Sequence, residues 1–467
     1  IPHTNAGSGA DIGAFEVGES WTTGINWTPK FHTTIWKKTA ATTDWNTASN
    51  WSTGYVPTSD VHVIIPTGAT RYPEISSTGA TSKNITVNSS ATLTINKGFD
   101  LTVAGNFTNR GTVTLNSDSN EFSSLIVQGT SSGNITYNRY VNSLSGGTGW
   151  DLIGSPVNGL QISSFVSTND AGSSPLATGN GSGQGASGEY AIGIYDPSNN
   201  SWSNYTSSNV NTTQFTPGKG YQMATDSGAT LAFTGTVDTD ATETISIESF
   251  TDASGRRWNL ISNPYPSFIT LGPNSTTNTF LEVNDDIIDA TYVGVYGYDA
   301  DNSNGSNYTI YNNTSSSKIA PGQAFFVAAR STNAANITFK EEMQTTSTGD
   351  DFISGDIMEN TEVELRIYNN GNAVGNTKLF FNEGLTLGLN PGWDAGSYSQ
   401  SASIMTRLVQ EDEGHGMAIN AMGLDAMENA VIPLVINQAA GQEFRINLHT
   451  ATIPDPNVYL EDVEEGT

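Results

Sequence analysis

Four short motifs occur twice, in the same order, between residues 142 and 348, and this duplication restricts what the chain can fold into more than any other feature. Trp150 opens WDLIGSPV and Trp258 opens WNLISNPYP; Tyr190 opens YAIGIYD and Tyr292 opens YVGVYGYD. Thr216 opens TPGKGYQM and Ala320 opens APGQAFFV; Leu231 opens LAFTGTV and Ile337 opens ITFKEEM. The offsets are 108, 102, 104 and 106 residues. A repeat of this length is long enough to enclose its own core, so two tandem β-sandwiches are expected, at 142–247 and 248–349. In each, the Trp-led apolar run reads as a buried strand that ends where Pro156 or Pro264 restricts the preceding residue. Pro217-Gly218 and Pro321-Gly322 have the chemistry of a type II turn feeding the next strand.

The flanks read differently. From 60 to 141 come short alternating runs, among them VHVII at 61–65, ATLTI at 91–95, FDLTV at 99–103 and GTVTL at 111–115, separated by Asn, Gly and Ser turns. Strict alternation at such close spacing suits the stacked rungs of a β-solenoid, with a plain sandwich as the competing reading. Ahead of it, Trp21, Trp27, Trp36, Trp45 and Trp51 form a cluster. An open solenoid end exposes unpaired backbone, so these rings are expected to build a cap; the other reading is a sticky aromatic surface. Residues 17–141 are therefore taken as one region. Residues 350–467 alternate again, with Val363, Leu365 and Ile367 inward, Glu364 and Arg366 outward, and a hairpin at Asn370-Gly371; they are expected to form a third, acidic β-sandwich. The whole chain reads as all-β.

Composition narrows the function. The net charge is −28 over 467 residues, and residues 341–467 alone hold 21 acids against 4 bases. Such a surface does not suit nucleic-acid binding. No run of about 18 apolar residues is present to cross a membrane as a helix. Without cysteine there is no disulfide, thiolate metal site or Cys nucleophile. Ile1 is not an initiator methionine, so a processed or trimmed piece of a longer product is expected.

The run WNTASNWSTGYVPTSDVHVIIP (45–66) and the paired WDLIGSPV/PGKGY and WNLISNPYP/PGQAFF motifs resemble segments of Bacteroidetes surface and secreted proteins. The final region resembles the β-sandwich preceding the sorting signal in cargo of the type IX secretion system. The residues that carry this are Leu379-Phe380-Phe381, Gly392-Trp393-Asp394-Ala395, Ile432-Pro433-Leu434 and Val458-Tyr459-Leu460-Glu461-Asp462. Residues 1–16 resemble the exit of a right-handed parallel β-helix. The resemblance implies an extracellular or outer-surface location and engagement of the secretion machinery through a C-terminal sorting domain, which this chain lacks. It implies no particular activity, because such modules accompany proteases, glycosidases and adhesins alike.

Motifs for chemistry are sparse. There is no G-x-S-x-G and no His-Glu-x-x-His. The densest group of metal-ligand types is Glu411, Asp412, Glu413 and His415, and in an extended segment Glu411, Glu413 and His415 would share a face. A solvated acidic loop is the plainer reading. Asp299 and Asp301, in YDADNSNGSNY, place oxygen ligands at alternate positions as calcium would require, although a hairpin turn explains them equally. Gly179, Gly181, Gly183 and Gly185 lie in a Gly/Ser-rich loop at 167–189 without the strand and helix of a phosphate cradle. Trp202, Tyr205, Tyr308 and Tyr311 occupy the same hairpin arm in the two copies. They are the candidate sugar-stacking platform, with cross-strand packing as the alternative. The expectation is a non-catalytic structural or adhesive segment with its β-domains strung along the chain and no cofactor other than calcium. The alternatives are a carbohydrate-binding or polysaccharide-degrading protein and a self-assembling filament subunit.

Overall fold

The computed structural model describes residues 32–144, 149–169, 189–210, 213–250, 256–272, 278–298, 308–330, 333–347, 354–357, 361–452 and 458–461. Expectations for residues 1–16, Trp21, Trp27, the loop glycines 179–185, and Asp299 and Asp301 lie outside them. The chain is all-β, with three short α-helices among the described residues. Among the described residues no helix is long and apolar enough to cross a membrane.

The N-terminal region is a β-solenoid of three parallel sheets. One turn runs through strands Ile85–Val87, Thr92–Ile95 and Asp100–Val103, the next through Phe107–Asn109, Thr112–Asn116 and Ser124–Val127. Val63, Ile85 and Phe107 stack in register at 22-residue steps. Alternation puts Leu93, Ile95, Val113 and Leu115 inside, each at most 1% exposed. On the outside of the sheet that holds them, Thr94 pairs with Thr114, Thr114 with Thr136, and Thr136 with Thr234.

The N-terminal end is closed by buried tryptophans. Trp51 meets Trp36 and Trp45 edge to face, at 5.0 and 4.8 Å between centroids. Trp36 Nε1 donates to Arg71 O and Trp51 Nε1 to Trp45 O, both at 2.7 Å. The opposite end is closed by the first duplicated module. Strand Ala229–Thr236 adds antiparallel to Asn134–Val141, the last solenoid strand. The second module uses the same device, pairing Ala335–Lys340 with Thr242–Ile247. Each structural repeat therefore begins one strand before its Trp motif, and Asn134–Val141 belongs to the solenoid and to the first module at once.

The two modules share one topology. Their sheets run Asp151–Ile153, Tyr221–Met223, Glu189–Asp196, Ser201–Thr206 and Trp258–Ser262, Ala324–Ala328, Val295–Tyr298, Tyr308–Tyr311 in matching order. Each has a helix, Ile162–Asn169 or Phe280–Asn284, so the first three residues of the Gly/Ser-rich loop end a helix. The buried Asn169 and Asn284 at the helix ends each clamp the backbone of the facing strand. Asn169 accepts from Ala232 N at 2.8 Å, and Asn284 accepts from Thr338 N at 2.8 Å.

The modules are not strung out. The end of each Trp-led strand bonds to the Pro-Gly turn of the other copy. Gly154 N donates to Gly322 O at 2.7 Å, and Ser262 N donates to Gly218 O at 2.8 Å. Ile153 bridges Gln323 and Ile261 bridges Lys219. This exchange is isologous, as in a two-fold dimer, although both halves lie on one chain. It leaves no room at Gly154, where a Cβ would sit 1.9 Å from Ser262 Oγ.

The third unit is a mixed sheet in the order Leu434–Ile436, Ile404–Thr406, Met417–Met422, Asn372–Phe381, Thr361–Asn369, Arg445–Ala451. Asn370 and Gly371 turn its hairpin with φ of 49° and 85°, the type I′ combination. Glu364, expected outward, is 5% exposed: both faces of its strand are covered, and Arg366 Nε donates to it at 2.6 Å.

Gly154→Ala should destabilise the chain by about 1–3 kcal/mol through overpacking, and Ser262→Gly should restore part of that loss, since the Lys219 carbonyl still lies 2.8 Å from the new Cβ. Chemical unfolding of the two single variants and the double variant measures this.

Candidate functional site

One set of aromatic residues, most of them from the second module, converges on a seam where the third unit meets the second module's sheet. Sheet alternation aims Trp258, Tyr296, Tyr308 and Phe326 out of the second module toward Phe380, Ala395, Ile419 and Tyr398 of the third unit. Tyr308 stacks on Tyr398 at 3.9 Å and 17°, and Trp258 lies 4.5 Å from the same ring. Tyr296 Oη donates to Gly396 O at 2.7 Å, and Asn312 Nδ2 to Trp393 O at 2.8 Å. The first module reaches the seam through Tyr195, 5.0 Å from Phe326. Burial raises the Tyr308 and Tyr398 phenols and pushes Tyr195 up to about 12, so none ionises near neutrality.

The four candidate sugar-stacking residues therefore separate. Tyr308 is covered by Tyr398. Tyr205 is 8% exposed in the core shared by the first module and the solenoid, and Tyr311 is half-buried against the second module's core. Trp202 alone keeps an open face: it is 39% exposed and lies beside its cross-strand partner Tyr195 at 5.3 Å. It stands at the rim of the seam, 6.3 Å from Phe326.

The structure does not gather the acidic group at 411–415 into one set of ligands. Glu411 has φ of 53°, which breaks the extended run that would align its neighbours. Asp412 is engaged by Arg407, whose Nε and Nη2 lie 2.9 and 2.8 Å from Oδ2, and its carboxyl is lowered. The His415 ring turns edge-on to Tyr292 at 6.1 Å. Among the described residues no three His, Asp or Glu side chains converge as a metal would need. In the first module, the hairpin loop equivalent to the one holding Asp299 and Asp301 places its Asp in a self-contained turn. Ser198 Oγ and Asn199 Nδ2 donate to Asp196 at 2.6 and 2.7 Å and lower its carboxyl.

A cleft of about 110 Å³ opens at one end of the seam, lined by Glu282, Asp285 and Arg330 of the second module and Pro391 and Gly392 of the third unit. It is too small for a drug-sized molecule. Arg330 is already engaged, donating from Nε to Ile288 O at 3.1 Å.

Asp394 is the most strongly shifted carboxyl here. It is fully buried and accepts from Ala421 N and Asn390 N, both at 2.6 Å. Burial outweighs these donors and pushes it up to about 6. The sequence marked this position only as part of Gly-Trp-Asp-Ala; nothing in the pattern announced a buried acid.

The chain belongs to a family described as a domain of unknown function, DUF8693, whose model matches residues 35–467. No curated protein and no solved structure matches it.

Two outcomes are expected. A double-mutant cycle on Tyr308→Ala and Tyr398→Ala should give a coupling of about 0.5–1.5 kcal/mol in unfolding free energy. Because the folded state holds the Asp394 proton more tightly than the unfolded chain, this group's contribution is full below about pH 4 and lost as pH rises through about 6. Asp394→Asn should remove that pH-dependent component, while costing about 1–3 kcal/mol for the backbone N–H it leaves without an acceptor.

Proposed function

We propose that this member of the DUF8693 family is a non-catalytic structural and adhesive segment of a secreted or cell-surface protein. The observation that carries this reading is the use made of its aromatic side chains. Tyr308, Tyr398, Trp258 and Phe326 join the third unit to the second module instead of lining a cleft. A segment so joined holds whatever lies at its ends at a fixed separation, which suits a stalk. Its acidic exterior favours solubility and attraction of divalent cations outside a cell. The resemblance of the Trp-led motifs and of the last region to type IX secretion cargo supports export by that route.

A second reading, glycan binding, rests on Trp202, whose exposed ring beside Tyr195 has the form of a one-sugar stacking platform. The filament reading draws on edge strands such as Leu434–Ile436 and Arg445–Ala451 of the third sheet.

Antibody raised against the two modules should label intact producer cells, and deletion of the segment should reduce their attachment to surfaces several-fold. Turnover of a polysaccharide or peptide panel by the purified chain would overturn the reading. Binding on a glycan array that is lost in Trp202→Ala would move the assignment to the second one.

A further inference from the structure

One face of the solenoid carries an ordered array that points away from the core and continues onto the strand the first module adds, where the Thr136 and Thr234 hydroxyls share a 2.9 Å hydrogen bond. In the sheet that runs from Glu74–Ile75 to Ala229–Thr236, inward residues fill the core and every second residue faces out. The inner outward column is Thr94, Thr114, Thr136 and Thr234, each in register with the next. Beside it Thr92 pairs with Thr112, and Thr236 with Asn134, and all four are exposed. A third column adds Asn116 in register with Asn138, whose Nδ2 donates to Asn116 Oδ1 at 3.0 Å. The other two sheets lack this regularity: one presents Ile35 and Ile64 before Thr86 and Thr108, and the other mixes Thr102 with Ile126 and Asp100.

Strand geometry fixes the spacing of the array. Neighbouring columns of the same strand are about 6.6 Å apart and neighbouring strands about 4.8 Å apart. Tetrahedral water imposes its own spacing. With O–H···O bonds of about 2.75 Å, two oxygens bonded to a common third lie about 4.5 Å apart, and the layer repeat is about 7.3 Å. The strand spacing is close to the first distance, and Thr rotation about χ1 can take up the difference along the second. Charge points the same way. In a chain of net −28, the ionisable groups in register with these columns, among the described residues, are Glu74 and Asp44 beyond it, both at the N-terminal end of the inner one. An uncharged hydroxyl and methyl array complements a neutral crystalline surface, whereas a charged one would hold disordered hydration water.

We propose that this threonine face binds ice, with the hydroxyls continuing the oxygen lattice and the methyls seated between its rows. This goes beyond the adhesive reading and does not depend on it.

The test is ice-affinity partitioning of the fluorescently labelled full chain, together with the gap between melting and freezing points. The wild type should be enriched in the ice fraction several-fold over a labelled globular control. Thr114→Tyr, which puts a bulky ring in the middle of the array, should lose most of that enrichment; Thr86→Tyr, on another sheet, should keep it. Unchanged unfolding midpoints would confirm that both variants fold. Wild-type partitioning no better than the control, or equal partitioning by Thr114→Tyr and the wild type, overturns the proposal. Retention on crystalline cellulose or chitin, abolished by Thr114→Tyr, without enrichment in ice, overturns it in favour of a periodic polysaccharide.

Discussion

The two modules are held by an exchange of backbone hydrogen bonds, and the rest of the structure depends on it. Gly154 gives its N–H to the turn of the second copy and Ser262 gives its N–H to the turn of the first. The bonds are individually modest, about 1 kcal/mol net, but each would leave buried donors and acceptors unpaired if the copies parted. The exchange sets the two sheets so that Tyr195 meets Phe326 across the junction. It also brings the Gln323 turn to the solenoid, where the buried Arg139 donates from Nη2 to Gln323 Oε1 at 2.7 Å while its guanidinium lies 4.5 Å over the Phe122 ring. One turn of the second module thus contacts the solenoid and the first module together.

This gives the duplicated motifs a physical meaning. A repeated Trp-led strand and a repeated Pro-Gly turn are the two halves of one self-complementary interface, so each copy needs both. Gly154 is forced by its contact with Ser262, and Gly322, at φ of 64°, by the left-handed turn that delivers its carbonyl. The aromatic seam then extends the same logic to the third unit, whose sheet uses the second module's outer face as its partner layer.

Local chemistry was legible in the sequence, and long-range fit was not. Alternation at 91–95 and 111–115 identified the solenoid strands, and Asn370-Gly371 identified a hairpin, because each depends on residues a few positions apart. The four motif offsets identified the duplication. A fifth pair is harder to see: FVSTN at 165–169 and FLEVN at 280–284 end in the clamping Asn169 and Asn284, at an offset of 115 that departs from the other four. The fate of Tyr308 could not be read, since its cover, Tyr398, is 90 residues away and on a different unit. Glu364 was misplaced for a similar reason: alternation separates two faces but does not say that both are covered. The threonine columns needed the register of each turn, which no single strand reveals.

Differential scanning calorimetry at neutral pH tests the central claim most directly, because a body joined through its backbone and its aromatic core should unfold as one. The account predicts one transition for the two modules and the third unit, with calorimetric and van't Hoff enthalpies that agree. Two or three separable transitions, each with the enthalpy of about 100 residues, would contradict it.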